Sequence, residues 1–212
     1  MKTVIFDWGG VIENTSDSEN GWYKLTSNII SRLTNGIINE LRSWATFILD
    51  DKKVNICSIN DMESLSKWVE YLEEEYGFKT TIDEFISIYK EEYDKNLYYK
   101  DVVDYIHSLK GKCRVGILSN LVMLDKDRLN KQVDFSYIDD LFLSFEIGMI
   151  KPNEGIYERV EESLKIPSKD ILFIDDRKDN VDAALNRGWN ALQATGEDLE
   201  KIKEVVNNFI ER

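Results

Sequence analysis

The chain of 212 residues holds a single histidine, two cysteines and no run of about 18 to 20 apolar residues. Each scarcity removes a class of function. A lone His107 excludes zinc chemistry through clustered imidazoles, and its neighbours Val103, Ile106 and Lys110 put it on a helix surface. Cys57 and Cys113 stand far apart, with Cys113 leading into an apolar strand; such usage fits buried thiols in a reducing compartment, not a disulfide framework. No apolar leader precedes the first strand, which starts directly after Met1-Lys2, so a cytoplasmic location is expected. Positive charge is in deficit as well: 27 Lys and Arg face 40 Asp and Glu, a formal charge of −13, and no basic run interleaves with aromatics. Nucleic acid and anionic membrane surfaces reward positive patches, so neither is expected as a partner. A hydrophobic share of 42% suffices for a core, and the length suits one large domain or a core with a modest insert, as a monomer or weak dimer.

What the chain does have is four apolar runs, each followed by polar or charged groups. Val4-Ile5-Phe6 runs into Asp7, Val115-Gly116-Ile117-Leu118 into Ser119-Asn120, Phe145-Glu146-Ile147-Gly148 towards Lys151-Pro152, and Ile171-Leu172-Phe173-Ile174 into Asp175-Asp176. Runs of this length read as strands buried on both faces of a parallel sheet, whose ligands bind beyond the strand C-termini. All four polar groups are thus expected at one crevice.

The C-terminal half alternates strands and helices, as a doubly wound α/β sheet requires. Asn153 to Lys165 carries a helical stripe (Ile156, Tyr157, Val160, Leu164) with Pro152 at its start. Asn180 to Arg187 reads as a helix stopped by Gly188, followed by a strand near Ala191 to Ala194 and a closing amphipathic helix. Right-handed crossovers would set these strands in one sheet. Between about Ser16 and Tyr99 the pattern changes. This interval has no proline and shows helix-period stripes: Ile29, Ile30, Leu33, Ile37, Ile38 and Leu41; Trp68, Tyr71, Leu72 and Tyr76; Phe85, Ile86, Ile88 and Tyr89. The expectation is a Rossmann-like core of residues 1–15 and 100–212 with an all-helical cap, 16–99, overhanging the crevice. The aromatics of the insert, Trp22, Trp44, Trp68, Tyr71, Tyr98 and Tyr99, read chiefly as its core. Trp8, Glu13, Asn14, Trp22 and Tyr23 are candidates to face a substrate, each with an equally good core or surface reading.

A carboxylate at the end of the first strand can attack phosphorus to give an acyl phosphate, and Asp7 is the candidate. Such transfer needs the charge on the phosphoryl oxygens neutralised. Asp176, seconded by Asp175, would hold Mg²⁺ opposite Asp7, with the Lys151 ammonium beside the phosphate. Ser119 and the amide of Asn120 would donate hydrogen bonds to the phosphoryl oxygens. Each element alone is a weak signal; the four in order at strand ends are a strong one.

With these residues in place, the chain resembles the haloacid dehalogenase superfamily over essentially its whole length. Phe6-Asp7-Trp8-Gly9-Gly10-Val11 is similar to the first motif of that superfamily, and Leu118-Ser119-Asn120 to the second. Lys151-Pro152 with Ile156-Tyr157 is similar to the third, and Phe173-Ile174-Asp175-Asp176 with Asn180 to the fourth. The resemblance implies a Rossmann-like core, a helical cap of the type inserted after the first motif, Mg²⁺ dependence, and hydrolysis of a small phosphorylated metabolite through an aspartyl phosphate. It also implies that the backbone carbonyl of Gly9 binds the metal.

One position departs from the pattern. Most phosphatases of this superfamily carry a second aspartate two residues after the nucleophile, as general acid and base, and this chain has Gly9 there. Losing such a group costs about 10²- to 10⁴-fold, least for a substrate with a good leaving group, such as a sugar phosphate. Glycine here is similar to a subgroup that includes the glucose-1-phosphatases and the phosphatase-like domains of epoxide hydrolases. Two alternatives stay open: a catalytically weak or silent relative that binds a phosphorylated ligand or partner, and a metal-free 2-haloacid dehalogenase. For the latter the resemblance implies Ser-Asn where Asp175-Asp176 stand, and two carboxylates without a cation would repel each other.

Overall fold

Three of the four apolar runs form the inner strands of one parallel sheet. A computed structural model describes residues 1–14, 21–38, 46–94, 97–127, 129 and 134–212, with the backbone alone at 21–24, 97 and 135. Along the chain the elements are β1 (Thr3–Phe6), β2 (Glu13–Asn14), α1 (Gly21–Leu33), β3 (Thr46–Leu49), β4 (Lys52–Asn55), α2 (Met62–Tyr76), α3 (Ile82–Tyr93) and β5 (Leu97–Tyr98). They continue with α4 (Lys100–Ser108), β6 (Arg114–Ser119), β7 (Asp140–Leu143), α5 (Ser144–Ile147), α6 (Glu154–Leu164), β8 (Ile171–Asp175), α7 (Lys178–Asn186), β9 (Asn190–Gln193) and α8 (Leu199–Glu211). The five-stranded sheet has the order β7-β6-β1-β8-β9, all parallel.

Both faces of the inner strands are covered, which is why they read as unbroken apolar runs. Val4, Phe6, Val115, Ile117, Leu172 and Ile174 pack on one side against α4 and α8. Ile5, Leu118, Ile171 and Phe173 pack on the other against α6, α7 and Trp189. Register decides what meets at the top of the sheet. Phe6 pairs with Ile117 on one side and with Ile174 on the other, so the next residues of three strands emerge side by side. These are Asp7, the Leu118-Ser119 segment and Asp175.

The third run behaves differently from its reading as a strand. The edge strand is β7, Asp140–Leu143, and Phe145 to Ile147 lie in the single helical turn α5, closed by Gly148 at φ 75° with its N–H on the Ser144 carbonyl at 2.8 Å. Its apolar residues still turn inward, Phe145 to one sheet face and Ile147 to the other, so burial alone could not separate a strand from a turn of helix. Pro152 also sits outside the helix it was expected to begin: Asn153 is the N-cap of α6, its side chain accepting the Gly155 N–H at 2.9 Å, and the Lys151–Pro152 bond is cis.

The insert builds its own core from Ile29 and Ile30 of α1, Trp68 and Leu72 of α2, and Phe85 and Tyr89 of α3. Asp61 and Thr81 cap α2 and α3 through their side chains, and Gly77 ends α2 in the left-handed conformation at φ 69°. Its helices meet the all-helical expectation, but residues 46–55 need a correction. β3 and β4 form an antiparallel hairpin whose two loop residues, Asp50 and Asp51, have φ 49° and 60°. Asp tolerates that conformation better than most residues, so Asp-Asp between two short runs was a legible hairpin signal. The stripe read through to Leu41 also breaks early, because Asn35 and Gly36 take φ 52° and 79° after α1 ends at Leu33. Leu41 and Trp44 lie outside the described residues, as do the side chains of Trp22 and Tyr23. Entry to and exit from the insert are tied together by β2 and β5, which pair Glu13 with Tyr98 and Asn14 with Leu97. Among the described residues no helix is long and apolar enough to cross a membrane.

Insert and sheet share a buried polar seam. The Tyr89 hydroxyl of α3 donates to Asp125 Oδ1 at 3.0 Å, and Asp125 Oδ2 accepts the Val122 N–H at 3.0 Å. The Ser144 hydroxyl donates to the Cys57 carbonyl at 2.6 Å while accepting the Leu121 N–H at 3.0 Å. Burial pushes the Tyr89 hydroxyl well above its ordinary range, with the Asp125 charge adding to it, so it stays a donor. Tyr89→Phe takes a donor from a buried carboxylate and is expected to cost about 1–3 kcal/mol, measured as a lower urea midpoint with an unchanged slope.

Candidate active site

Lys151 stands at the centre of the crevice. Its ammonium is almost wholly buried and has three acceptors: Asp175 Oδ2 at 2.6 Å, Asp7 Oδ1 at 2.9 Å and the Leu118 carbonyl at 2.9 Å. An amide clamp sets the lysine there. Asn120 Nδ2 donates to the Lys151 carbonyl at 3.0 Å, and Asn120 Oδ1 accepts the Lys151 N–H at 2.8 Å. The side-chain amide of Asn120 is therefore committed to the lysine loop. The second Nδ2 hydrogen and the main-chain N–H make no hydrogen bond among the described residues.

Asp7 continues the ladder of β1 for one residue, its N–H on the Ile174 carbonyl at 2.8 Å, and its Oδ1 also accepts the Trp8 N–H at 2.7 Å. The chain then reverses through Gly10. Ile12 and Glu13 both donate to the Trp8 carbonyl, and Gly10 donates to that of Glu13 at 2.9 Å. Gly10 has two reasons to be glycine: its φ is 75°, and a Cβ there would stand 2.6 Å from Asp176 Oδ2. Gly9 differs, since a Cβ built on it meets nothing within 4 Å. Its carbonyl accepts no hydrogen bond among the described residues.

Asp175 is fully buried with both oxygens occupied. Oδ1 takes the Arg177 N–H at 2.8 Å and Asn180 Nδ2 at 3.0 Å; Oδ2 takes Lys151 and, at 3.1 Å, Asn180 Nδ2 again. So saturated, it orients its neighbours rather than offering free lone pairs. Asp176 is half-buried, its carboxylate beside Gly10 and its carbonyl accepting Gln193 Nε2 at 3.0 Å. The Ser119 hydroxyl is buried at the end of β6 and has no hydrogen-bond partner among the described residues.

One carboxylate oxygen from each of Asp7, Asp175 and Asp176 lies within 4.8 Å of the others. A single buried ammonium does not balance three such groups. Burial pushes the Asp7 carboxyl up to about 7; Lys151 opposes the shift, while Asp175 and Asp176 add to it. Asp176 is raised by burial first and then by Asp175. Burial alone would lower Lys151, but Asp175 and Asp7 outweigh it and hold its pKa above the ordinary lysine value. A hard divalent cation with oxygen ligands fits this donor set: excess carboxylate, an unengaged Gly9 carbonyl, and the buried Asn180 Oδ1, which has no partner among the described residues. Asp7, Asp176 and the Gly9 carbonyl could hold it.

The predicted residues Asp7, Ser119, Lys151, Asp175 and Asp176 thus gather at one end of the sheet, with Gly9 and Asn120 beside them. The sequence reading passed over the roles of Gly10 and Asn180. A second glycine after Gly9, and an amide one helical turn beyond Asp176, were the available signals. Among the substrate-facing candidates, Trp8 is fully buried in the sheet core edge-on to Tyr98, and Asn14 accepts the Tyr99 hydroxyl at 3.1 Å.

An aspartate at the end of β1, an acidic doublet at the end of β8 and a buried lysine thus stand together over a parallel α/β sheet. Residues 1–188 match the family model for haloacid dehalogenase-like hydrolases, and the chain belongs to that family. A HAD-like family hydrolase of Porphyromonas gingivalis is similar in structure, with a TM-score of 0.68 at 20% identity, covering 97% of this chain and 98% of that one. So is a HAD family enzyme of Bacteroides thetaiotaomicron in complex with magnesium and inorganic phosphate, with a TM-score of 0.68 at 18% identity over 92% and 95% of the two chains. The L-2-haloacid dehalogenase of Xanthobacter autotrophicus with covalently bound chloropropionic acid has a TM-score of 0.58 at 18% identity, over 90% of this chain and 76% of that one. In sequence, the drimenol cyclase drtB of Aspergillus calidoustus is 31% identical over 100 residues, which are 47% of this chain and 19% of that protein.

The raised Asp7 pKa makes stability depend on pH. Because its carboxyl moves from 3.8 to about 7 on folding, the folded state holds the proton more tightly, and this contribution to stability is lost as pH rises through about 7. In the presence of chelator, Asp7→Asn is expected to melt above the wild type at pH 8, with the gap closing towards pH 5. Thermal unfolding followed across that range checks both the sign and the window.

Proposed function

We propose that the protein is a Mg²⁺-dependent phosphatase acting on a small phosphorylated metabolite, such as a sugar phosphate, through an aspartyl phosphate on Asp7. The observation that carries the reading is the approach of the Asp7, Asp175 and Asp176 carboxylates to within 4.8 Å around one buried ammonium. Two donors tie down Asp7 Oδ1, and Oδ2, which accepts no hydrogen bond among the described residues, is the oxygen that attacks phosphorus. As the new P–O bond forms, the bond from phosphorus to the substrate oxygen breaks. The departing alkoxide takes its proton from water, because Gly9 offers no acid. A second water then attacks phosphorus, returning the Asp7 carboxylate and inorganic phosphate. When bound, the cation supplies charge neutralisation at the phosphoryl oxygens.

The other groups follow from their positions. The Ser119 hydroxyl and the Asn120 main-chain N–H donate to the phosphoryl oxygens, and Lys151, with three acceptors already, contributes field more than a spare proton. Residues 16–99 act as the cap over a core formed by 1–15 and 100–212. Gly9 favours a second reading, a phosphate-binding relative without turnover. The acidic doublet speaks against a metal-free dehalogenase, since that chemistry leaves three carboxylates facing one lysine.

Purified protein is expected to release phosphate from an aryl phosphate only with Mg²⁺, with chelator or Asp7→Asn abolishing release. Binding of inorganic phosphate with Mg²⁺, but no turnover on a broad metabolite panel, would select the silent reading. The space around Gly9 gives a further test. A Cβ at position 9 meets nothing within 4 Å, so Gly9→Asp brings in an acid without disturbing the backbone and is expected to raise turnover of an alkyl phosphate by about 10²-fold or more. An aryl phosphate, with its better leaving group, should gain less.

A further inference from the structure

The acidic doublet is held from a direction that the catalytic motifs do not include. At the end of β9, the segment 193–196 lies across both loops that carry the acids. Gln193 Nε2 donates to the Asp176 carbonyl at 3.0 Å, and the Ala194 N–H donates to the Asp175 carbonyl at 3.1 Å. The Gly196 N–H donates to the Gly10 carbonyl at 2.9 Å. Gly10 in turn sits so near Asp176 that a Cβ there would stand 2.6 Å from Oδ2. One short segment therefore fixes the main chain behind both Asp175 and Asp176 and the glycine against the Asp176 carboxylate.

The outer side of that segment meets the insert linker. Gly196 is buried face-on to the Tyr99 ring, and a Cβ built on it would overlap Cδ2, Cγ and Cε2 of the tyrosine. Gly196 has no positive φ to require glycine, so the reason for glycine here is the ring. Tyr99 cannot drift away. Its N–H donates to the Ile12 carbonyl at 3.0 Å, its hydroxyl donates to Asn14 Oδ1 at 3.1 Å, and it stands between β5, the exit strand of the insert, and the start of α4. An unbroken path of contacts runs from the linker ring through Gly196 and Gly10 to the Asp176 carboxylate.

We propose that Tyr99 is a positioning residue for the acidic cluster, setting the Asp176 carboxylate through Gly196 and Gly10, so that the posture of the insert linker tunes the affinity of the site for a divalent cation. The inference rests on the reading of Asp7 and Asp176 as cation ligands. Groups that orient metal ligands from outside typically change affinity by about 10- to 100-fold when altered, and an effect at the lower end of that range is expected here.

Mg²⁺ affinity, measured by calorimetry and by the Mg²⁺-dependent rise in melting temperature, reads this coupling without substrate or turnover. Gly196→Ala is expected to weaken Mg²⁺ binding about tenfold by pushing the segment off the ring. Gly196→Ala combined with Tyr99→Ala, which gives the new methyl group room, is expected to recover much of the loss; a merely structural defect would deepen instead. Should Gly196→Ala fail to fold, Tyr99→Ala alone reads the path, and weakened binding is again expected because the segment loses its support. Wild-type Mg²⁺ affinity in the folded variants overturns the coupling while leaving the cation site intact. A wild type that shows no Mg²⁺ response overturns the cation reading itself and the coupling with it.

Discussion

The buried ammonium of Lys151 between Asp7 and Asp175 is the interaction around which the crevice is organised. Burying a carboxylate is costly without a cation and hydrogen bonds, and two of them at adjacent strand ends would force each other to protonate. The lysine makes their closeness tolerable, and much of the surrounding structure serves to keep it in place. Asn120 grips its main chain from both sides, the Leu118 carbonyl takes its third proton, and its charge lies 5.2 Å from the centre of the Phe173 ring. Compensation is incomplete. Asp176 adds a third acid, which burial and Asp175 raise although Lys151 and Arg177 oppose the shift, and this excess of carboxylate is what would suit the site to a divalent cation.

The sheet converts this chemistry into geometry. Because β1 lies between β6 and β8 in register, residues more than a hundred positions apart in sequence arrive at the same height. Side-chain alternation along the same strands divides the apolar residues between two helical layers and leaves the strand ends as the outlet for polar groups. The glycines around the site differ: Gly10 lets the first loop press against Asp176, while a Cβ at Gly9 would meet nothing within 4 Å.

Much of this was legible in the residues. Asp7, Ser119 and Asp175-Asp176 each close an apolar strand, a placement that a buried parallel sheet imposes on sequence, whereas the run before Lys151 is a turn of helix. The roles within the cluster were not legible. Nothing in Asp175-Asp176 says that the first carboxylate is saturated by Arg177, Asn180 and Lys151 while the second is left open, since that depends on where the chain turns after β8. Nor does Asn120 announce that its side chain grips a loop thirty-one residues away. Short elements failed for a simpler reason. Phe145 and Ile147 are buried as either a strand or a helical turn, and four-residue runs such as Thr46–Leu49 carry too few positions for a period to emerge.

The clasp of β2 with β5 has a consequence for the ancestry of the molecule. Where the insert leaves the sheet and where it returns, the chain is joined by backbone hydrogen bonds, Tyr99 to Ile12 among them at 3.0 Å. A module whose two ends already touch can be exchanged, lengthened or shortened without rerouting any strand beneath it. The sheet and its acids can thus stay as a fixed chassis while the helices α1, α2 and α3 are altered above the β2–β5 clasp.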